Sequence, residues 1–260
     1  MEVLMLTKRG NRIGGILLAT CLLFPAMSFA DCSELPGYAA LKAALTAARN
    51  TANGGLNLNM WGTIVDRDGL VCAVAFTGAE RGDQWPGSRV ISAQKANTAN
   101  AFSLPGLALS TANLYSAVQP GGSLFGLQES NPVNTDVAYA NPASNFGTAS
   151  DPMVGGRIGG VNVFGGGLAL YNSSGKLLGG LGVSGDTSCA DHNIAWKTRH
   201  ALNLDNVPGG VAPGGNDNII YDIGGNSEHS RGGFGHPQCS RQATAIGEAL
   251  PSNFPTGPNP

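Results

Sequence analysis

The sequence predicts a mixed α/β fold: an antiparallel sheet of about five short strands flanked by helices, carrying a long insertion loop and a loop-rich C-terminal extension. Three observations carry this reading. Stretches 58–76 and 167–183 each read as a β-hairpin, two apolar runs broken by a polar turn that contains glycine. Stretches beginning near 34, 90 and 191 have capped starts and helical length. The 260 residues include 39 Gly and 15 Pro, are 42% hydrophobic and only 12% charged. That balance describes a globular chain with long loops, and without a G-X-Y period it is not collagen. Lys+Arg 15 against Asp+Glu 17 leaves no basic footprint for nucleic acid.

The elements follow in order. Lys8, Arg9 and Arg12 precede an apolar run from Ile13 to Phe24, and Ser28-Phe29-Ala30 places small residues at a cleavage site. Residues 1–30 therefore read as a secretory signal peptide, and the run is too short for a membrane-spanning helix. A lipidation box at Leu18-Ala19-Thr20-Cys21 is the rival reading. Cleavage near Ala30 leaves a periplasmic or secreted chain, more acidic by two charges, of a size for one domain.

Ser33 can cap a helix from Glu34, with Tyr38, Leu41, Leu45 and Ala48 as its apolar stripe, ending at Asn53-Gly54-Gly55. Strands at 58–65 and 70–76 flank the turn Asp66-Arg67-Asp68-Gly69. Ser88 is a candidate cap for a helix over 90–102, in which Lys95 shares the more apolar side and can snorkel its ammonium to water. A weaker helix is expected over 107–118. Residues 119–156 form a loop long enough to be functional. Strands are expected at 161–164, 167–171 and 177–183, then a helix over 191–202. Residues 203–260 lack the periodic apolar sequence for a separate core, so they read as an extension packed on the domain at 31–202, with one helix near 242–250.

Cleavage leaves four cysteines, Cys32, Cys72, Cys189 and Cys239. In an exported chain an even number suggests two disulfides. Cys189–Cys239 would tie the tail to the domain, leaving Cys32–Cys72; the bland alternative is that Cys72 is a buried thiol. A metal site is not expected: no C-x-x-C occurs, and His236-Pro237-Gln238-Cys239 lacks further ligands nearby.

Gly180-Leu181-Gly182-Val183-Ser184-Gly185 matches G-x-G-x-x-G after a strand. The parallel strand that a dinucleotide site needs is missing, so the motif reads as a tight strand-to-helix turn, with an anion at the helix N-terminus as a middle reading. Ser184 lacks the second spacer of a nucleophile elbow. His192 and His200 are eight residues apart, too far round one helix to chelate one metal. His192 beside Asp191 remains a candidate single metal ligand or proton donor, against the commoner reading of a capping histidine.

Taken together, Tyr38 to Arg49, the turn Val65-Asp66-Arg67-Asp68-Gly69-Leu70, the run Lys95-Ala96-Asn97-Thr98-Ala99, Gly159-Gly160-Val161, and Leu178 to Gly185 with Asp191-His192 resemble the GlcG/HbpS family of haem-binding proteins. The likeness spans roughly residues 36–202. Asn162 stands where the family usually has Pro, and the cysteine-bearing tail has no counterpart in short members. The resemblance implies an antiparallel sheet flanked by helices, assembly into oligomers such as octamers, and haem as a non-covalent cofactor. No C-x-x-C-H is present for covalent attachment. Mapped onto this chain, it implies a cleft at Asp66, Lys95, Thr98, Ser184, Asp191 and His192. An apolar groove between helix 90–102 and the sheet would hold the macrocycle. Arg89 or Lys95 would pair with propionates, with His192 or a hydroxyl near iron; Arg157 is a further nearby cation. Two other functions stay open: an enzyme of a catabolic pathway moving protons through Asp191 and His192, and a binding module whose 119–156 loop docks a partner.

Overall fold

Alternating side chains on two antiparallel hairpins give one four-stranded sheet with apolar residues on both faces, and each face is covered by helix. This is seen in a computed structural model, which describes residues 31–224 and 229–257; the expected signal peptide and Cys21 lie outside them. The helices are α1 (Tyr38–Arg49), α2 (Ser88–Phe102), the four-residue α3 (Thr135–Ala138), α4 (Ser188–Ala201) and α5 (Arg241–Asn253). The strands are β1 (Trp61–Asp66), β2 (Val71–Phe76), β3 (Gly167–Tyr171) and β4 (Leu177–Ser184), in the order β2-β1-β4-β3, all antiparallel.

Period-two alternation sends Ile64, Ala73, Ala75, Leu168, Leu170, Leu181 and Val183 to one face, against Leu41 and Leu45 of α1 and Ile194 and Trp196 of α4. Leu250 of α5 joins this cluster as an outer layer. The opposite face sends Val65, Val71, Val74 and Trp61 against Val90, Ala93 and Ala96 of α2.

The fifth expected strand, 161–164, does not form. Its backbone is satisfied by side chains instead of a ladder: Thr98 Oγ1 accepts the Asn162 amide at 3.0 Å and Gln128 Oε1 accepts that of Val163 at 3.2 Å. The first helix begins at Tyr38 rather than Glu34. Cys32–Glu34 is a separate 3-10 turn capped by Asp31, and Pro36 keeps Leu35 out of helical conformation. The weak helix expected over 107–118 resolves into two 3-10 turns, Thr111–Leu114 and Ser116–Val118.

Gly87 rather than Ser88 is the N-cap residue of α2. α4 begins at Ser188, earlier than expected, because Thr187 supplies the cap by accepting the Ala190 amide.

Two disulfides close the described chain, Cys32–Cys72 and Cys189–Cys239. Asp66 lies with Cys32 and Cys72, but the two sulfurs are bonded to each other and so are not metal ligands. No helix among the described residues is long and apolar enough to cross a membrane.

Candidate functional site

The glycines of β4 determine where the site is. Gly180 and Gly182 face α2, and a methyl group at either would lie 2.2 Å from the Ala96 carbonyl oxygen or 1.9 Å from that of Ser92. Their bareness lets α2 lie directly on the strand. Lys95 is thereby carried over the end of β4, where α4 starts. Its Nζ donates to Asp191 Oδ2 at 2.7 Å and to the Val183 carbonyl at 3.1 Å, and both side chains are almost wholly buried. The expected snorkelling to water does not occur, because a buried carboxylate stands within reach of the ammonium. Gly166 has φ +117, and a side chain there would crowd the Lys95 ammonium at 3.1 Å.

Asp191 is held on its other oxygen by the Asp186 amide at 2.9 Å. Burial pushes its carboxyl up to about 6, with Lys95 pulling back the other way. Asp186 in turn accepts the amides of Leu56, Leu58 and Thr187, which fixes the floor of the cleft.

That cleft encloses about 320 Å³ and is lined by Trp85, Ser88, Ile91, Lys95, Asn162, Phe164, Ser184, Asp186, Ser188 and Asp191. Three of the residues that the sequence marked, Lys95, Ser184 and Asp191, are therefore together. Trp85 and Phe164, both exposed, are not among the residues the sequence marks: Trp85 sits in a loop without a period, and Phe164 ends the segment whose apolar run reads as a strand.

The other expected residues are elsewhere. Thr98 is a loop clamp, donating to the Gln94 carbonyl and receiving the Asn162 amide. Asp66 shapes its own turn, accepting the amides of Asp68 and Leu70 at 2.9 Å each. Arg89 is buried in an ion pair with Asp151, where it also donates to the Ala138 carbonyl at 2.8 Å and lies 3.7 Å over the Phe146 ring. It anchors the long loop and is not offered to a ligand. Arg157 is a surface residue 4.0 Å from Asp68.

His192, expected next to iron, is wholly buried and does not line the cleft. Its Nε2 lies 3.1 Å from both Asn218 Oδ1 and the Ile219 amide, so the tail occupies that nitrogen. Burial lowers its pKa to about 3 and keeps the ring neutral. His236 is the tail's own contribution: Nδ1 lies 2.7 Å from the Pro237 carbonyl, Nε2 accepts the Gly165 amide at 3.4 Å, and burial brings its pKa to about 4. His200 is paired with Asp205 at 2.7 Å, so the two histidines of α4 serve separate partners.

The sequence model of the HbpS-like family, described as haem degrading protein HbpS-like, matches residues 38–199. The chain belongs to the HbpS-like family. Among solved structures, the HbpS-like chain is similar to a PduOC–haem complex, at 26% identity over 64% of this chain and 91% of that one, with a TM-score of 0.44. It is also similar to the Klebsiella pneumoniae protein ORFY, at 25% identity over 64% and 88%, with a TM-score of 0.42. HbpS itself is 15% identical over 76% and 99%, with a TM-score of 0.43. No curated protein matches this HbpS-like chain.

Proposed function

We propose that this HbpS-like chain is an exported protein that binds haem non-covalently in the cleft between the start of α2, the end of β4 and the start of α4. Family membership supports the ligand. The observation that supports the place is the pairing of apolar walls, Trp85, Ile91 and Phe164, with the buried Lys95 and Asp191 beneath them. Its volume of about 320 Å³ falls at the lower end of ligand cavities, about 300–1,000 Å³, so a tetrapyrrole would enter by one edge and leave the rest exposed.

The residues fit the macrocycle better than the iron. Among the described residues no histidine lines this cleft, and Lys95 and Arg89 are already neutralised by Asp191 and Asp151. Binding is therefore assigned to stacking on Trp85 and Phe164, with Ser184 and Ser188 as the available hydroxyls. Two disulfides support export, and the resemblance favours an oligomer.

Titration with hemin, followed in the Soret region, tests this reading. Saturable binding at micromolar concentrations is expected, with affinity reduced about tenfold or more in Phe164→Ala, on the scale of losing one aromatic contact. His192→Asn should leave the spectrum unchanged. No saturable shift, or full affinity in both Phe164→Ala and Trp85→Ala, overturns the proposal.

A second reading is favoured by one observation: a carboxyl pushed up to about 6, in a cleft also lined by Ser184 and Ser188, is suited to general acid–base work on a small organic molecule. Turnover of such a substrate that Asp191→Asn abolishes, while hemin fails to bind, would replace the first reading with the second.

A further inference from the structure

The two disulfides sit in opposite electrostatic surroundings. A carboxylate oxygen of Asp66, itself almost wholly buried, lies within 4.8 Å of both Cys32 Sγ and Cys72 Sγ. Cys189–Cys239 lies instead at the N-terminus of α4, where the Cys189 amide donates to Cys239 Sγ at 3.2 Å and the Ser188 hydroxyl stands 3.5 Å from it. Cys239 is also the residue before Ser240, the N-cap of α5. We propose that Cys189–Cys239 is a redox-active disulfide, a site of thiol–disulfide exchange with an external dithiol, in which Cys239 is the sulfur attacked and, once reduced, a thiolate. This holds whatever the Lys95 cleft binds.

Access selects the sulfur. Cys239 is exposed and its contact with Ser188 is at the surface, whereas Cys189 is wholly buried. The surroundings already suit the reduced pair. An N–H and a hydroxyl beside Cys239 Sγ, at the positive end of a helix of 14 residues, favour a thiolate there. Cys189 Sγ lies 3.6 Å from the Pro237 carbonyl oxygen, an acceptor that favours the protonated thiol. A disulfide whose reduced form is stabilised is the easier one to reduce. The Asp66 carboxylate does the reverse for Cys32–Cys72, since it repels an incoming thiolate and either product thiolate. Loop closure hardly separates the two bridges, which span 40 and 50 positions.

In the first step a thiolate of the dithiol attacks Cys239 Sγ and forms a mixed disulfide. The Cys189–Cys239 bond breaks, and its electron pair goes to Cys189 Sγ, which takes up a proton. The second thiolate of the dithiol then attacks the dithiol's own sulfur in the mixed disulfide, and Cys239 leaves as a thiolate. Two electrons have passed from the dithiol, which ends as a cyclic disulfide. Of its two protons one stays on Cys189 and one goes to solvent. Ser188, beside Cys239 Sγ, also lines the Lys95 cleft, so the exchange takes place at the edge of that cleft.

Equilibration of the full chain at graded ratios of reduced to oxidised dithiothreitol, followed by acid quench, alkylation and peptide mass spectrometry, tests the site. Cys189 and Cys239 should be alkylated together at a ratio about tenfold or more below the one that Cys32 and Cys72 require, a gap of about 30 mV for a two-electron couple. Reduction of both bridges together, or of Cys32–Cys72 first, overturns the proposal. Asp66→Asn, which keeps an acceptor for the turn, should narrow the gap, and an unchanged gap refutes the electrostatic cause. The thiolate is read by its ultraviolet absorbance at neutral pH. The wild-type chain reduced at this bridge alone should absorb as one thiolate, as should Cys189→Ser, and Cys239→Ser should not. Absence of that absorbance in the wild-type chain defeats the role of Cys239, whether or not the variants fold.

Discussion

Two buried ion pairs show how much a single side chain can decide in this molecule. Arg199 and Asp217 are both wholly buried, with Nη1 at 2.7 Å and Nη2 at 2.8 Å from the two carboxylate oxygens, and Nη1 also donates to the Ala169 carbonyl. Removing one partner leaves the other charge buried without compensation. Asp217→Ala should therefore destabilise the protein by about 3–5 kcal/mol in urea unfolding, while Arg199→Met with Asp217→Leu should cost less than that single change. A double variant no more stable than Asp217→Ala would show that the pair's hydrogen bonds to the backbone matter more than its charge. Nothing in the local sequence marks this pair, because its members lie 18 residues apart, one in α4 and one in the irregular tail, without periodicity. Lys95 and Asp191 were individually marked, but their contact spans 96 positions, and only the packing of α2 on β4 brings them together.

At the scale of elements, the contact between α2 and β4 sets the site and rests on glycine. Gly182→Ala would place a methyl group 1.9 Å from a helix carbonyl oxygen, so the helix must lift. A loss of about 3 kcal/mol, the upper part of the usual overpacking range, is expected in urea unfolding, together with weaker hemin binding. Gly175→Ala is the control. It lies in the β3–β4 turn at φ +74 with open space around it, so only backbone strain of about 1–2 kcal/mol applies. If the two variants are equally stable, close approach of α2 is not what the glycines serve. The hairpins, α1 and the core of α2 were legible, since their apolar periods are long and their turns carry glycine. The short segment 161–164 was misread as a strand, because four apolar-rich residues look alike whether a ladder or side chains satisfy their amides.

At the scale of the whole molecule, the tail is fastened to α4 and to the segment before β3. Cys189–Cys239 pins it at the start of α4, and His192 and His236 bind it from both sides. Replacing both cysteines of this bridge by Ala should lower stability by about 2–4 kcal/mol, measured as a shift in the urea midpoint without reductant.

The same histidines give the molecule an acid sensitivity. Burial holds them at about 3 and 4, below the ordinary 6.5, so from about pH 6.5 down the unfolded chain takes up two protons that the folded chain refuses. Asp191, raised from 3.8 to about 6, does the reverse and takes up one in the folded state. Between about pH 6 and 4 the unfolded chain therefore holds one net proton more, and stability should fall by about 1.4 kcal/mol for each unit of pH lost. Urea unfolding across that interval measures the slope. Removing both histidines should invert it, and an unchanged slope in that variant would refute the assignment.

By itself the sequence determined the antiparallel hairpins, the main helices, the family and three residues of the cleft, because each is written in local periodicity or in a short motif. The tertiary structure alone decided that Lys95 faces a carboxylate instead of water and that Arg89 holds a loop. It also decided that His192 is occupied by the tail. These are contacts between elements far apart in the chain. They are set by how closely two surfaces approach, a quantity that no stretch of sequence records on its own.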